Sequence, residues 1–149
     1  SLLDHDKFKL VFNNGQVHDN LTLSTSLQSD GNTYLNITGL PDNTAPSDST
    51  LESSVVDGNN FKILTRPGFP DHVVLKTKMD GLLVPDPDGI NVTILTSGNY
   101  TSTDADNALL QIRVQENDEV VIPSGATPPV QSPGGTPPVQ SPGGTPPVQ

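Results

Sequence analysis

Apolar and polar residues alternate along most of this chain with a period of two. Phe8, Leu10 and Phe12 fall on one side and Lys7, Lys9 and Val11 on the other, and Asn13-Asn14-Gly15 then supplies a turn. Leu21, Leu23 and Leu27 alternate with Thr22, Ser24 and Ser26 as far as Asp30-Gly31. Leu35 and Ile37 face away from Tyr34, Asn36 and Thr38. Shorter candidate strands lie at 55–56, 61–64 and Val73-Leu75-Thr77, punctuated by Asp57-Gly58 and Asp80-Gly81. Ile90, Val92 and Ile94 form another set, as do Ala108, Leu110, Ile112 and Val114, and residues 120–122 end the pattern. No window carries a capped stripe at i, i+3, i+4. The pattern predicts an all-β domain, with roughly seven to ten short strands in an antiparallel Ig-like or jelly-roll-type sandwich. Residues 41–50, rich in Asp, Ser, Thr and Pro, read as a long surface loop.

Beyond Ile122 the character of the chain changes. Thr127-Pro128-Pro129-Val130-Gln131-Ser132-Pro133-Gly134-Gly135 repeats from Thr136 and begins again at Thr145. Proline pairs favour polyproline II, Gly-Gly loosens each unit, and such a segment has too little apolar surface to fold alone. The division expected is a β domain over 1–122 and an extended Pro/Gly-rich tail over 123–149. The chain opens on Ser1, as expected either of a protein whose leader has been removed or of a segment of a longer protein, and the repeat breaks off mid-unit at Gln149.

Composition removes whole classes of function. Cysteine is absent, which excludes disulfides, thiolate metal sites and thiol nucleophiles. Seven Lys+Arg against seventeen Asp+Glu give a formal net charge of −10, with no basic footprint for nucleic acid. An anionic membrane surface repels such a chain, and no apolar run is long enough for a spanning helix. The partners expected are therefore neither nucleic acid nor membrane interior.

Four sequons stand at Asn20-Leu21-Thr22, Asn36-Ile37-Thr38, Asn91-Val92-Thr93 and Asn99-Tyr100-Thr101. Strand alternation points Asn36 and Asn91 away from the apolar face, where a glycan is tolerated. In the tail, Thr127, Ser132, Thr136, Ser141 and Thr145 lie in a Pro-rich context suited to O-glycans. Acidic turns place Asp86 and Asp88, and Asp104 and Asp106, as candidate oxygen ligands for Ca²⁺, although Asp-Gly is also an ordinary turn sequence. His5, His18 and His72 form no zinc or catalytic spacing, and no nucleophile elbow or phosphate loop occurs, so no enzyme is expected. Lys7 or Lys9 with Asn107 or Asn117 and Glu116 would be the partners of an intramolecular isopeptide bond; their alternation away from the Phe8–Phe12 face reads instead as surface lysine.

The tail resembles the Pro-rich repeats of secreted hydroxyproline-rich glycoproteins and the linkers of surface proteins. A cysteine-free β domain with sequons and such a tail resembles, in overall character, a subunit of an extracellular glycosylated, pilus-like fibril. That resemblance implies a structural protein at the cell surface whose partners are copies of itself and covalent glycans. It also implies head-to-tail assembly by strand or tail exchange, with residues 1–12 as the donated segment and Phe8, Leu10 and Phe12 as its anchors. The rival expectation is a non-catalytic adhesion or carbohydrate-binding module, joined to other domains by the Pro-rich linker.

Overall fold

The computed structural model describes residues 5–41, 60–96, 98, 100–123, 125 and 126. The candidate strand at 55–56, most of the loop after Pro41, Asn99 and the repeats from Thr127 lie outside the described residues.

The described residues form eight strands and one helix. β1 (Phe8–Phe12), β2 (Val17–Leu27), β3 (Thr33–Thr38), β4 (Asn60–Arg66) and β5 (Phe69–Lys76) precede β6 (Leu82–Pro85) and β7 (Val92–Leu95). Helix α1 (Ser102–Ala108) and β8 (Leu110–Val114) follow. Every strand pairing is antiparallel. The hydrogen-bonded order is β4-β3-β2-β1-β8-β5-β6-β7, and β4 also pairs with β5. Six strands thus close into a ring, β1-β2-β3-β4-β5-β8, with the β6–β7 hairpin attached at the end of β5 through Lys76↔Leu82. The expected antiparallel β architecture is present, and the strands belong to one sheet that meets itself.

Period-two alternation explains the interior. Phe8, Leu10 and Phe12 of β1, Leu21 and Leu23 of β2, and Leu35 and Ile37 of β3 point inward. They meet Phe61 and Ile63 of β4, Val73 and Leu75 of β5, and Leu110, Ile112 and Val114 of β8 in one continuous core. Leu83, Val92 and Ile94 bring the β6–β7 hairpin into that core.

Two elements depart from the sequence expectation. β6 is buried along its whole length because one face meets the ring interior through Leu83, while Leu82 and Val84 pack with Ala108 of α1. A strand covered on both sides has no polar face, so alternation gives no signal for it. The helix replaces the expected start of a strand at Ala108. Thr101 caps it: its hydroxyl accepts from the Asp104 backbone N–H at 3.1 Å, and the Asp104 carboxylate accepts from the Thr101 N–H at 2.9 Å. This reciprocal capping box is written in the sequence as Thr-x-x-Asp and overrides the absence of a helical stripe.

The turns follow their residues. Pro67-Gly68 joins β4 to β5 with Gly68 at φ +85°, the left-handed value that glycine adopts without strain. Asn20 is left-handed at φ 58°, where one extra residue enters β2 between the pairs Phe8↔Leu21 and Leu10↔His18.

Candidate functional site

The elements with a bearing on assembly are the two ends of the described chain. β1 lies between β2 and β8 and is paired on both sides. Phe8, Leu10 and Phe12 are 0%, 0% and 1% exposed in the interior of their own chain. The expected anchors are therefore core residues of this barrel, and β1 is not a free arm in this structure.

The C-terminal end is held differently. After β8 the chain turns through Gln115–Glu119 and comes back along the edge of β8 as a single bridge, Arg113↔Val120. Val114 N–H donates to Glu119 C=O at 2.7 Å and Val121 N–H to Ile112 C=O at 2.8 Å. Val121 and Ala126 pack against the core while partly exposed, Pro123 is buried, and Ile122 is 41% exposed. Contact with the barrel thus continues past Ile122. Gly125 lies so close to Thr33 at the start of β3 that a Cβ there would stand 2.8 Å from the Thr33 Cβ. At φ +91° it is also a position that only glycine occupies freely. This strap delivers the chain to the first tail repeat.

The turn between β8 and the strap is acidic and pinned by cations. The Asp118 carboxylate meets Lys9 Nζ at 2.7 Å and Arg113 Nη1 at 2.9 Å, and these bonds, Lys9 first, hold its pKa below the usual carboxylate value. Asp118 itself is left-handed at φ 65°. Lys9 is thus committed to an ion pair, and Lys7 Nζ donates to Thr22 Oγ1 at 3.3 Å. Neither lysine is placed as an isopeptide partner.

The three described sequons differ at the atom that would carry sugar. Asn20 is exposed on the bulge, with its Oδ1 accepting from Gln115 Nε2 at 3.0 Å and its backbone N–H donating to Gln115 Oε1 at 2.6 Å. The clamp engages the backbone N–H and the side-chain oxygen, not the amide nitrogen, of an exposed residue. Asn36 is half-buried, and its Nδ2 donates to Ser26 Oγ at 3.3 Å. Asn91 stands in the turn before β7, where its Nδ2 donates to Asp88 Oδ2 at 2.8 Å. The expected strand position of Asn91, with Ile90 on the apolar face, is replaced by this turn, and Ile90 is 68% exposed. Asn99 lies outside the described residues, although its sequon threonine, Thr101, is the helix cap. The tail residues Thr127, Ser132, Thr136, Ser141 and Thr145 lie outside them too.

The proposed calcium ligands are not brought together. Asp88 Oδ1 accepts from the backbone N–H groups of Ile90 at 2.8 Å and Asn91 at 3.0 Å, which keeps its pKa low. Asp86 accepts from the Thr93 hydroxyl. Asp104 completes the capping box, and Asp106 pairs with Arg66 Nη2 at 2.9 Å. Among the described residues no group of three or more His, Asp or Glu side chains is placed to hold a metal ion. These carboxylates build turns and caps because a short acidic side chain satisfies the nearby N–H groups that a turn leaves open.

His18 is a buried titratable group that the sequence reading passed over. Opposite the bulge it is 8% exposed, edge-on to Phe12 with ring centroids 6.0 Å apart. Gln16 Nε2 sits 2.8 Å from His18 Nε2 and also donates to Asn91 C=O at 2.9 Å. With both amide hydrogens directed this way, the ring nitrogen is the acceptor and the imidazole is neutral. Burial lowers its pKa, against the opposing pull of Asp19 and Asp88. A His whose folded pKa is depressed contributes no penalty above its unfolded value, near 6.5, and costs stability once the unfolded chain takes up the proton more readily. Thermal unfolding is therefore expected to move to lower temperature between pH 7 and pH 5. His18→Gln removes that component of the slope, and an unchanged slope in this variant would refute the assignment.

One concavity, about 210 Å³, lies on the outer face of β4 and β5 under α1. Leu64, Val74, Leu82 and Tyr100 line it, with Arg66 and Lys76 at its margin. Lys76 Nζ lies 5.4 Å from the centre of the Tyr100 ring. No helix among the described residues is long and apolar enough to cross a membrane. Comparison with family models, curated proteins and solved structures returned no match for this chain.

Proposed function

We propose that this chain is a non-catalytic structural subunit of a secreted, glycosylated filament, built head to tail through exchange of a terminal segment. The observation that carries the reading is the C-terminal strap. A short segment, seated on the barrel by one bridge, the buried Pro123 and the half-exposed Val121 and Ala126, leads into a nine-residue Pro-rich repeat. Contacts between a segment of one copy and the body of the next do not close on themselves, so they generate filaments. The ring is read as flattened, with β1-β2-β3 facing β4-β5-β8 in the manner of a sandwich. Covalent sugar fits the exposed Asn20 and the Ser and Thr residues of the repeats, and an acidic surface keeps such subunits apart until they dock.

Two measurements test this. Peptide mapping of material purified from its natural source is expected to find sugar on the peptide bearing Asn20 among the described sequons. Negative-stain microscopy is expected to show long uniform fibres. Dispersed particles whose Asn20 peptide carries no sugar would overturn the reading.

A second reading, an adhesion or sugar-binding module on a Pro-rich spacer, rests on the concavity bearing Tyr100. It predicts dispersed particles whose glycan-array signal is lost in Tyr100→Ala.

A further inference from the structure

The filament reading leaves open which segment is exchanged, and the contacts on each candidate decide it. β1 has ladders on both sides and three side chains that are 0–1% exposed, so a copy that gave it away would open its own core. The strap has one bridge on one side, with Pro123 buried but Val121 and Ala126 only partly covered. We infer that the strap running from Val120 to Ala126 is the exchanged element, and that its receptor is the same edge of β8, with the Thr33 contact, on a second copy of this chain. The inference rests on the filament reading.

Fit is guaranteed by identity. Every contact the strap makes at home, from the bonds to Ile112 and Val114 to the close approach of Gly125 to Thr33, is offered unchanged by another copy. Exchange therefore alters only the hinge, Gln115–Glu119. That hinge carries Glu116, Asp118 and Glu119 in five residues, with Asp118 in a left-handed conformation. Opening it relieves that conformation and lets β8 run on toward Val120. Against opening stand the bonds of Asp118 to Lys9 and Arg113. In the exchanged form the described chain ends, at Ala126, on the neighbour's surface.

The cysteine-free background gives a direct test. The bonds Val114 N–H to Glu119 C=O and Val121 N–H to Ile112 C=O flank Arg113 and Val120 and make them a non-hydrogen-bonded antiparallel pair. Such pairs have Cα atoms about 4.5 Å apart, within disulfide range. The full chain carrying Arg113→Cys and Val120→Cys is assembled under reduction, oxidised and run on a non-reducing denaturing gel. Interchain disulfides, seen as a ladder or as dimers, are expected. Filaments whose 113–120 disulfides all close within one chain would overturn strap exchange while leaving the filament reading intact. Absence of filaments from the unaltered chain would remove both. A second variant guards against misfolding of the first. Asp118→Asn removes the ion pairs to Lys9 and Arg113 that hold the hinge closed, leaves the strap's own contacts intact, and is expected to raise the oligomer fraction in sedimentation at least threefold at fixed concentration. An unchanged fraction would count against the strap.

Discussion

Phe8→Ala is expected to lower the free energy of unfolding by about 3–5 kcal/mol, the cost of emptying a phenyl-sized volume in a packed interior. Phe8 is fully buried, stands opposite Leu21 of β2 and Val114 of β8, and touches the edge of the His5 ring at a centroid distance of 6.1 Å. Its neighbours are held in two hydrogen-bonded ladders and cannot collapse into the space. Against a domain stability of about 5–15 kcal/mol, the loss leaves a marginal fold. Urea unfolding followed by far-ultraviolet dichroism checks it. Val11→Ala, on the outer face of the same strand and half-exposed, is the control and is expected to shift the midpoint far less. Equal shifts for the two would mean that Phe8 does not face the core. For the same reason a chain lacking residues through Phe12 is expected to show no cooperative transition, since the ring then lacks the strand joining β2 to β8.

Leu83→Ala and Leu82→Ala are expected to act on different parts of the molecule, although the residues are adjacent. Leu83 is fully buried in the main core with Val92 and Ile94, and its truncation is expected to cost about 2–5 kcal/mol of global stability. Leu82 belongs to the separate cluster with Val84 and Ala108, against which Val74, Leu95 and Tyr100 pack. A helix of seven residues is far too short to persist by itself, so α1 depends on that cluster and on its cap. In Leu82→Ala, hydrogen exchange is expected to accelerate first at the α1 amides, with the amides of β1 and β8 still protected. Simultaneous loss of protection at both places would show that the two clusters unfold as one.

Alternation located the inward residues of β1, β5 and β8 and most of those of β2 and β3, but Leu27, expected on the apolar face, is 76% exposed at the end of β2, and Tyr34, expected on the polar face of β3, is 1% exposed. It failed at β6, where helix and core cover both faces, and at α1, whose signal lies in Thr101 and Asp104 rather than in an apolar stripe. The candidate sites were legible as residue types but not as partners. Asp86, Asp88, Asp104 and Asp106 are all acidic turn or cap residues, and only their spatial neighbours show that each carboxylate is already used. The burial of His18 was not legible because it arises from a bulge two residues away.

By itself, the sequence determined the β class, the inward face of β1, β5 and β8, the acidic composition and the change to a Pro-rich repeat, since these depend on side-chain period and composition within a local window. Which strands meet, that β4 closes onto β5, that Phe8, Leu10 and Phe12 serve their own barrel, and that a thin strap leads into the tail were decided only by tertiary structure. Those outcomes depend on pairings between segments far apart in the chain, and such pairings are chosen by the joint burial of a single core rather than by any one segment's pattern.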